Sequence, residues 1–571
     1  MFQDAVRTAP DRILVAQRRP LGSWLAVTYA QASRRVDAIA QALLDRGLRT
    51  PVLVLSGNSI DHMLMALACQ TIGLPYAPVS TSYSLHRGEH RELGHITLLV
   101  QPGLVLVDDT STFAGALTAV RQHTSGNPEI VSITADGGAT AFAELTGTAA
   151  TPAVATAAQA VTPDTVAKYL FTSGSTGAPK GVITTHRMLC ANQQMIRQAW
   201  PFLATEPPVL VDWLPWSHTF GGSHNTNMVI ANAGTLYIDD GRPTPDQFDH
   251  TLHNLAEIAP TVYLSVPLAL RTLATRLETD PALARKFFRR LRVLFYAAAA
   301  LPQDTWTRLS RLAQQHANHP VALTTAWGST ETAPAALSTH YPSTRADCIG
   351  VPLPGITVKL VPNHHDRTEI RVKGPTITPG YLQRPDLTAR AFDDEGYLRT
   401  GDAAEPIHPD NPQAGLRFNG RLTEDFKLDS GTWVNASAIR TALLDAADDL
   451  LTDCIVAGHD QPYIAVLAWP RIDTCRQLTT SPDPLSHLHA HPALRARLHA
   501  ALRAVNTDTG SSRRIQRIAL LDHAPDPETG EITDKGYINQ ATCLTTRAPH
   551  ITDLYHTTAP SHVLDMRDSV A

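Results

Sequence analysis

At 571 residues, 43% of them hydrophobic, the chain is too long for one core and apolar enough to fill several. A net charge of -5, with both signs spread along the sequence, excludes a basic face for nucleic acid and points to a small-molecule partner. Six cysteines lie far apart with no CxxC pair, which argues against both a disulfide framework and a zinc site.

The N-terminal stretch MFQDAVRTAPDRILVAQRRP contains acidic residues and no long apolar core. No later run approaches the ~20 apolar residues of a membrane span, so a soluble, cytoplasmic protein with no membrane partner is expected. Residues 11–105 alternate helical patterns (YAQASRRVDAIAQALLDRGL, DHMLMALACQTIG) with short apolar runs (PVLVLSG, LVLVDD), the rhythm of an α/β domain with a parallel sheet. From Thr124 to Asp164 the text is rich in Ala, Thr and Gly with little periodicity and reads largely as a surface excursion. YLFTSGSTGAPKGVITTHRML, from Tyr169, reads as strand, tight loop, then helix. The α/β rhythm resumes through VLVDWLP, TLYID, TVYLSVP and RVLFYAAAA, and after Pro352 the segments ITVKLVP and TEIRVKG are shorter and richer in β-formers. A boundary is expected near RFNGRLTEDFKLDSGTW, giving a domain over 1–420 and a smaller α+β domain over 421–571.

Five stretches carry chemistry. In the first, Thr172, Ser173, Gly174, Ser175, Thr176 and Gly177 offer hydroxyls and unhindered backbone N–H groups to an anion, and Lys180 adds a charge. It is not a Walker loop, because G-x-x-x-x-G-K-[ST] cannot be laid on it. In TTAWGSTETAP, Trp327 can stack a base, Thr330 offers a hydroxyl to phosphate, and Glu331 is a hard oxygen ligand for Mg²⁺. In YLRTGDAAE, Asp402 can accept from a ribose diol, its bland reading being a turn. GRLTEDFKLDSGTW places Arg421 and Lys427 at the proposed boundary, and PETGEITDKGYINQ places Lys535 in a polar, Gly-rich loop. Each alone is equally a surface turn or a solvated charge. Only seven of the 48 basic residues are lysine: Lys168, Lys180, Lys286, Lys359, Lys373, Lys427 and Lys535. Three of them fall inside these motifs, where a compact ammonium suits phosphate.

In this order and spacing the five stretches resemble the adenylate-forming superfamily of acyl-CoA synthetases, adenylation domains and luciferases, over nearly the whole chain. DWLPWSHTFGGSHN, DDGRPTP, EDFKLDSGTW and GEITDKGYINQ look, more narrowly, like feruloyl-CoA synthetases. The resemblance implies an α/β fold: a large N-terminal domain of stacked α/β subdomains with a small β-rich subdomain, and a smaller, mobile α+β C-terminal domain. It implies that the Thr172–Lys180 loop holds the β- and γ-phosphates of ATP, Trp327 stacks near adenine and Thr330 contacts the α-phosphate. By the same resemblance Glu331 binds Mg²⁺, Asp402 and Arg421 hold the ribose, and Lys427 belongs to the nucleotide-binding set. Lys535 matches the lysine bridging acyl carboxylate and α-phosphate, and His218 matches a residue lining the acyl pocket of aromatic-acid ligases. Thr423 stands where many relatives carry Asp or Lys beside the hinge.

The implied activity is ATP-dependent activation of an aromatic acid, hydroxycinnamate-like or benzoate-like, with pyrophosphate release and transfer to CoA. Two alternatives keep the adenylation chemistry: loading of a carrier protein, or activation of nitrite for diazotisation of an aryl amine. A non-catalytic nucleotide-binding protein is a third, against which Lys180, Glu331 and Lys535 together speak. The 36 residues after Lys535 run longer than the resemblance leads one to expect, and the sequence gives no account of them.

Overall fold

A computed structural model of the chain describes all residues except 20–21, 86–87, 174–177, 245, 363–366, 481–488, 508–509, 511, 527–528, 533–537 and 567–571. It is a mixed α/β fold dividing into two units. The larger comprises Met1–Lys359, Arg371–Arg399 and Ile407–Leu416; the smaller comprises Leu360–Ile370, Thr400–Pro406 and Arg417–Ala571.

In the larger unit the described residues form a seven-stranded sheet in the order Thr140–Ala141, Glu129–Ser132, Leu104–Val107, Val52–Leu55, Tyr76–Pro78, Val166–Ser173, Pro179–Thr185. The first six run parallel and the last antiparallel. Its central strands, VLVL and LVLV, are buried on both faces, which is why they read as unbroken apolar runs and not as alternation. Helix Tyr29–Asp45 begins at Thr28, whose hydroxyl accepts from Gln31 N at 3.2 Å while the Gln31 side chain accepts from Thr28 N at 3.0 Å. It buries Ala32, Val36, Ile39, Ala40 and Leu43, the i, i+4, i+7 stripe.

A second sheet joins Val209–Asp212, Thr235–Ile238, Ile13–Arg18 and Trp24–Thr28. In a third, Val262–Ser265, Val293–Tyr296 and Ala322–Gly328 run parallel, followed by antiparallel Ala335–Ser338 and Cys348–Pro352. In the smaller unit Leu451–Ala457, Ile464–Pro470, Ile515–Leu520 and Val563–Asp565 form one sheet, packed with helices Ala436–Ala447 and Pro492–Asn506 around a core of their own.

Two expectations are corrected. Residues 124–164 are not simply an excursion: Glu129–Ser132 and Thr140–Ala141 extend the seven-stranded sheet, and helices Phe142–Thr146 and Pro152–Ala160 follow. These strands are only four and two residues long and helix Pro152–Ala160 buries Val154 alone, too little for the apolar periodicity that marks buried elements to show in the sequence. The opening motif is not strand, loop, helix either. Pro179–Thr185 returns as a strand, its β-branched Val182, Ile183, Thr184 and Thr185 suiting a pleat. The helix starts only at His186, after the Thr185 cap. All six cysteines are free thiols, as expected. Among the described residues no helix is long and apolar enough to cross a membrane.

Candidate active site

The larger unit gathers one set of the expected residues around a hairpin. Strands Val166–Ser173 and Pro179–Thr185 pair with Thr172 opposite Lys180, so the anion loop is the hairpin's connection and Lys180 stands on its return strand. Gly174, Ser175, Thr176, Gly177 and the Ser173 side chain lie outside the described residues. Lys180 Nζ sits 5.0 Å over the ring of Tyr381, a cation–π distance. The Tyr381 hydroxyl donates to Glu331 Oε1 at 2.9 Å. Burial and the Glu331 charge push the phenol pKa up, so that the hydroxyl stays protonated and donating. The Glu331 carbonyl accepts from Thr378 N at 2.8 Å, which fixes its backbone too.

Thr330 and Glu331 open the 3-10 turn Thr330–Thr332, directly after strand Ala322–Gly328. Ser329 N closes the turn by donating to Thr332 Oγ1 at 2.8 Å. Gly328 is required by close approach, since a Cβ there would lie 1.8 Å from the Pro334 carbonyl oxygen. Trp327 and Thr330 are both buried. Lys180 is thus linked through Tyr381 to Glu331, a cation and a carboxylate held apart by one aromatic ring instead of neutralising each other.

A second group is the aromatic turn after strand Val209–Asp212. Trp213 and Trp216 are buried and serve packing: Trp213 Nε1 donates to Ser265 Oγ at 3.3 Å, and Trp216 meets the His62 ring edge-on at 5.3 Å. Asn58 pins the stretch, donating to the Leu214 carbonyl at 2.9 Å and accepting from Trp216 N at 3.0 Å. His218 is half-buried, and its Nδ1 accepts from Phe220 N at 3.2 Å. That role leaves the proton of a neutral ring on Nε2. Phe220 lies edge-on to both His224 and Phe295, while those two stack at 5.1 Å. Residues Phe220–Asn225 make a π-helical turn. Gly222 fits it because a Cβ would lie 2.0 Å from the Trp216 carbonyl oxygen. Beneath, buried Asp212 accepts from Leu214 N at 3.1 Å and Asn225 Nδ2 at 2.9 Å, and burial pushes its pKa up to about 7.

The smaller unit holds the remaining residues. Asp402 is nearly buried and its Oδ1 lies 3.4 Å from Arg421 Nε, whose side chain is 59% exposed. The two side chains are therefore neighbours, with the guanidinium largely exposed. Lys427 Nζ lies 5.0 Å over the ring of Trp433. Lys535 lies outside the described residues. The residues flanking it are fixed: Glu531 accepts from Arg547 Nε and Nη2, both at 2.7 Å, and its carbonyl accepts from Asn539 N at 2.8 Å.

Sequence reasoning missed Tyr381, Asn58 and Asp212. Tyr381 sits in TPGYLQRPD, where Pro and Gly signal only a turn. Nothing in its neighbourhood names a partner 50 residues away.

Residues 2–382 match the family model of the AMP-binding enzymes and residues 426–559 that of the AMP-binding enzyme C-terminal domain. The chain is 23% identical over 582 residues to the long-chain-fatty-acid–CoA ligase FadD15 of Mycobacterium bovis, covering 92% of each. Its fold is similar to that of ATP-bound MatB from Rhodopseudomonas palustris, with a TM-score of 0.74 at 22% identity over 96% of this chain and 99% of that one. It is also similar to the anthranilate CoA ligase AuaEII in complex with anthranoyl-AMP, with a TM-score of 0.75 at 17% identity and 96% of both chains covered. With a family model spanning most of its length, this chain belongs to the AMP-binding enzyme family.

Proposed function

We propose that this chain is an AMP-forming aryl-CoA ligase of the feruloyl-CoA synthetase type. It activates an aromatic acid as its acyl-adenylate with release of pyrophosphate, then passes the acyl group to CoA. The observation that carries this reading is the Lys180–Tyr381–Glu331 arrangement at the mouth of the Thr172–Lys180 hairpin. It offers a cation and a hard oxygen ligand to one polyphosphate. Relatives that are CoA ligases, one of them solved with an aryl-adenylate, support the two-step course.

In this reading Thr172, Lys180 and the loop between them take the β- and γ-phosphates, Thr330 takes the α-phosphate, and Trp327 lies by the adenine. Asp402 and Arg421 hold the ribose, and Lys427 completes the nucleotide set. Glu331 fits a magnesium ion: Tyr381 occupies Oε1, and no hydrogen bond among the described residues takes Oε2. A single carboxylate plus substrate phosphates is the usual Mg²⁺ environment. When bound, the ion would offset phosphate charge. Lys535 holds the acid's carboxylate against the α-phosphorus, lowering the repulsion between two anions.

Tyr381→Phe removes the hydrogen bond that orients Glu331. A bond to a charged group is worth ~1.5–3 kcal/mol, so half-maximal pyrophosphate release should require roughly tenfold more Mg²⁺. An unchanged Mg²⁺ titration would remove Glu331 from the metal site.

The acid is proposed to lie against the turn carrying His218 and Phe220, where a rigid ring gains stacking area at small entropy cost. Pyrophosphate release should be measured with hydroxycinnamates, hydroxybenzoates, octanoate, palmitate and nitrite, supplying CoA, carrier protein or aryl amine in turn. Aromatic acids with CoA should be turned over best, and His218→Ala should alter acid preference more than the ATP requirement. A fatty acid outpacing every aromatic acid overturns the substrate class. Turnover confined to nitrite with aryl amine replaces the ligase reading by diazotisation.

A further inference from the structure

Lys168 belongs to none of the nucleotide motifs, yet it is the most deeply placed cation near the aromatic turn. It stands on strand Val166–Ser173 with no exposed surface. Its Nζ donates to the Gly222 carbonyl at 2.6 Å and lies 5.9 Å over the Tyr76 ring. Among the described residues no carboxylate pairs with it. A buried ammonium normally requires a counter-ion or several acceptors, and this one has a single carbonyl. The carbonyl it holds is inside the π-helical turn, and the amide of the same Gly222 donates to the His218 carbonyl at 2.7 Å. Lys168 is therefore two hydrogen bonds from the backbone of His218 and next to the turn that carries Phe220.

Resting on the reading of that turn as the acid site, we propose that Lys168 is a positioning residue for acid recognition: its ammonium pins the Gly222 carbonyl and thereby sets the His218–Phe220 turn against which the acid lies. The groups facing it leave its charge uncompensated. Tyr76, on the neighbouring strand, is a phenol that burial keeps protonated. His62, on helix Ile60–Thr71, is kept neutral by burial, which drops its pKa to about 4. Asp108, whose field also reaches His62, is engaged by Ser56 Oγ at 2.6 Å and Gly57 N at 3.1 Å. Thr184, paired with Lys168 across the sheet, is uncharged. Burial accordingly lowers the Lys168 pKa from 10.5 to about 7.

The test compares the parent with Lys168→Met, which keeps the length and apolar stem, and Lys168→Gln, which keeps a donor. KM for the acid turned over fastest in the panel above and KM for ATP are read from pyrophosphate release, with urea unfolding alongside. Lys168→Met should raise the acid KM by roughly tenfold or more with the ATP KM little changed, and Lys168→Gln should recover part of the loss. The parent's acid KM should climb as pH passes through about 7, where the ammonium is lost, and the Met variant's should stay flat. Because the folded pKa lies below the unfolded one, the parent should gain stability as pH rises from about 7 towards 10.5 and lose it below about 7. The Met variant lacks that slope and at neutral pH should be at least as stable as the parent. A merely structural lysine would give the opposite signature: both KM values and the urea midpoint worsening together in Lys168→Met, which overturns the proposal. An unchanged acid KM in Lys168→Met with a changed one in His218→Ala also overturns it while leaving the acid site in place. If neither variant moves the acid KM, the acid-site reading fails and the proposal with it.

Discussion

If Lys535 bridges carboxylate and α-phosphate as proposed, Lys535→Ala is expected to lower acid-dependent pyrophosphate release by ~10²-fold or more while ATP still binds, because a preorganised charge on the transition state is removed. The reasoning is electrostatic. A carboxylate must approach an α-phosphate that is itself anionic, and in a water-poor site one lysine bridging both is the cheapest remedy for the repulsion. ATP affinity should fall little, since the proposed nucleotide contacts of Lys180, Thr330, Asp402 and Arg421 remain. Thioester formation from pre-made acyl-adenylate should survive, because the thiol attacks a carbonyl already bonded to phosphate and no second anion need be brought in. Pyrophosphate–ATP exchange and single-turnover thioesterification separate the two steps. Parental exchange in the variant would remove Lys535 from the chemistry.

The second large effect concerns the chain beyond Lys535. Helices Gln540–Thr546 and Ala548–Tyr555 lead into strand Val563–Asp565, which adds an edge to the smaller unit's sheet. Arg517, on the neighbouring strand Ile515–Leu520, fastens it. With 1% of its side chain exposed, Arg517 donates Nε to Asp565 Oδ2 at 2.7 Å, and Nη1 to the Leu554 and His556 carbonyls at 2.9 and 2.7 Å. Arg517→Met takes the guanidinium away from the buried Asp565 carboxylate and from the Leu554 and His556 carbonyls it donates to. Removing one partner of a buried pair costs ~3–5 kcal/mol, enough to open the unit measurably. Hydrogen exchange in the full-length chain should quicken across Ile464–Pro470 and Ile515–Leu520, while the Val52–Leu55 strand of the other unit stays protected. The double variant Arg517→Met, Asp565→Leu should regain part of the loss, since the buried carboxylate is removed together with the guanidinium. Unchanged exchange in Arg517→Met would show that the pair contributes nothing net. The tail after Lys535 is thus part of the fold that carries the lysine's flanks, with Glu531 held by Arg547 from within it.

The sequence by itself determined what is local. Short unbroken apolar runs of β-branched residues and leucine such as VLVL and LVLV, bounded by Gly and Pro, suit central strands buried on both faces. The Gly, Ser and Thr cluster with Lys180, the Trp327–Glu331 stretch and Asp402 could be proposed from the sequence because each puts its chemistry within a dozen residues, where backbone freedom and side-chain type speak directly. Lys168 was legible only as a rarity, one of seven lysines. What the tertiary structure decided is every pairing across distance. The Glu331–Tyr381, Lys168–Gly222 and Arg517–Asp565 contacts span 50, 54 and 48 residues. No periodicity or turn signal encodes which residue a side chain will meet after the chain has crossed a sheet and returned. The return strand Pro179–Thr185 was misread for the same reason: its amphipathic text suits a helix or a strand, and the antiparallel partner Val166–Ser173 chose the strand. Side-chain chemistry is written residue by residue, whereas the counter-ion, the acceptor and the burial that tune it exist only once distant segments have packed.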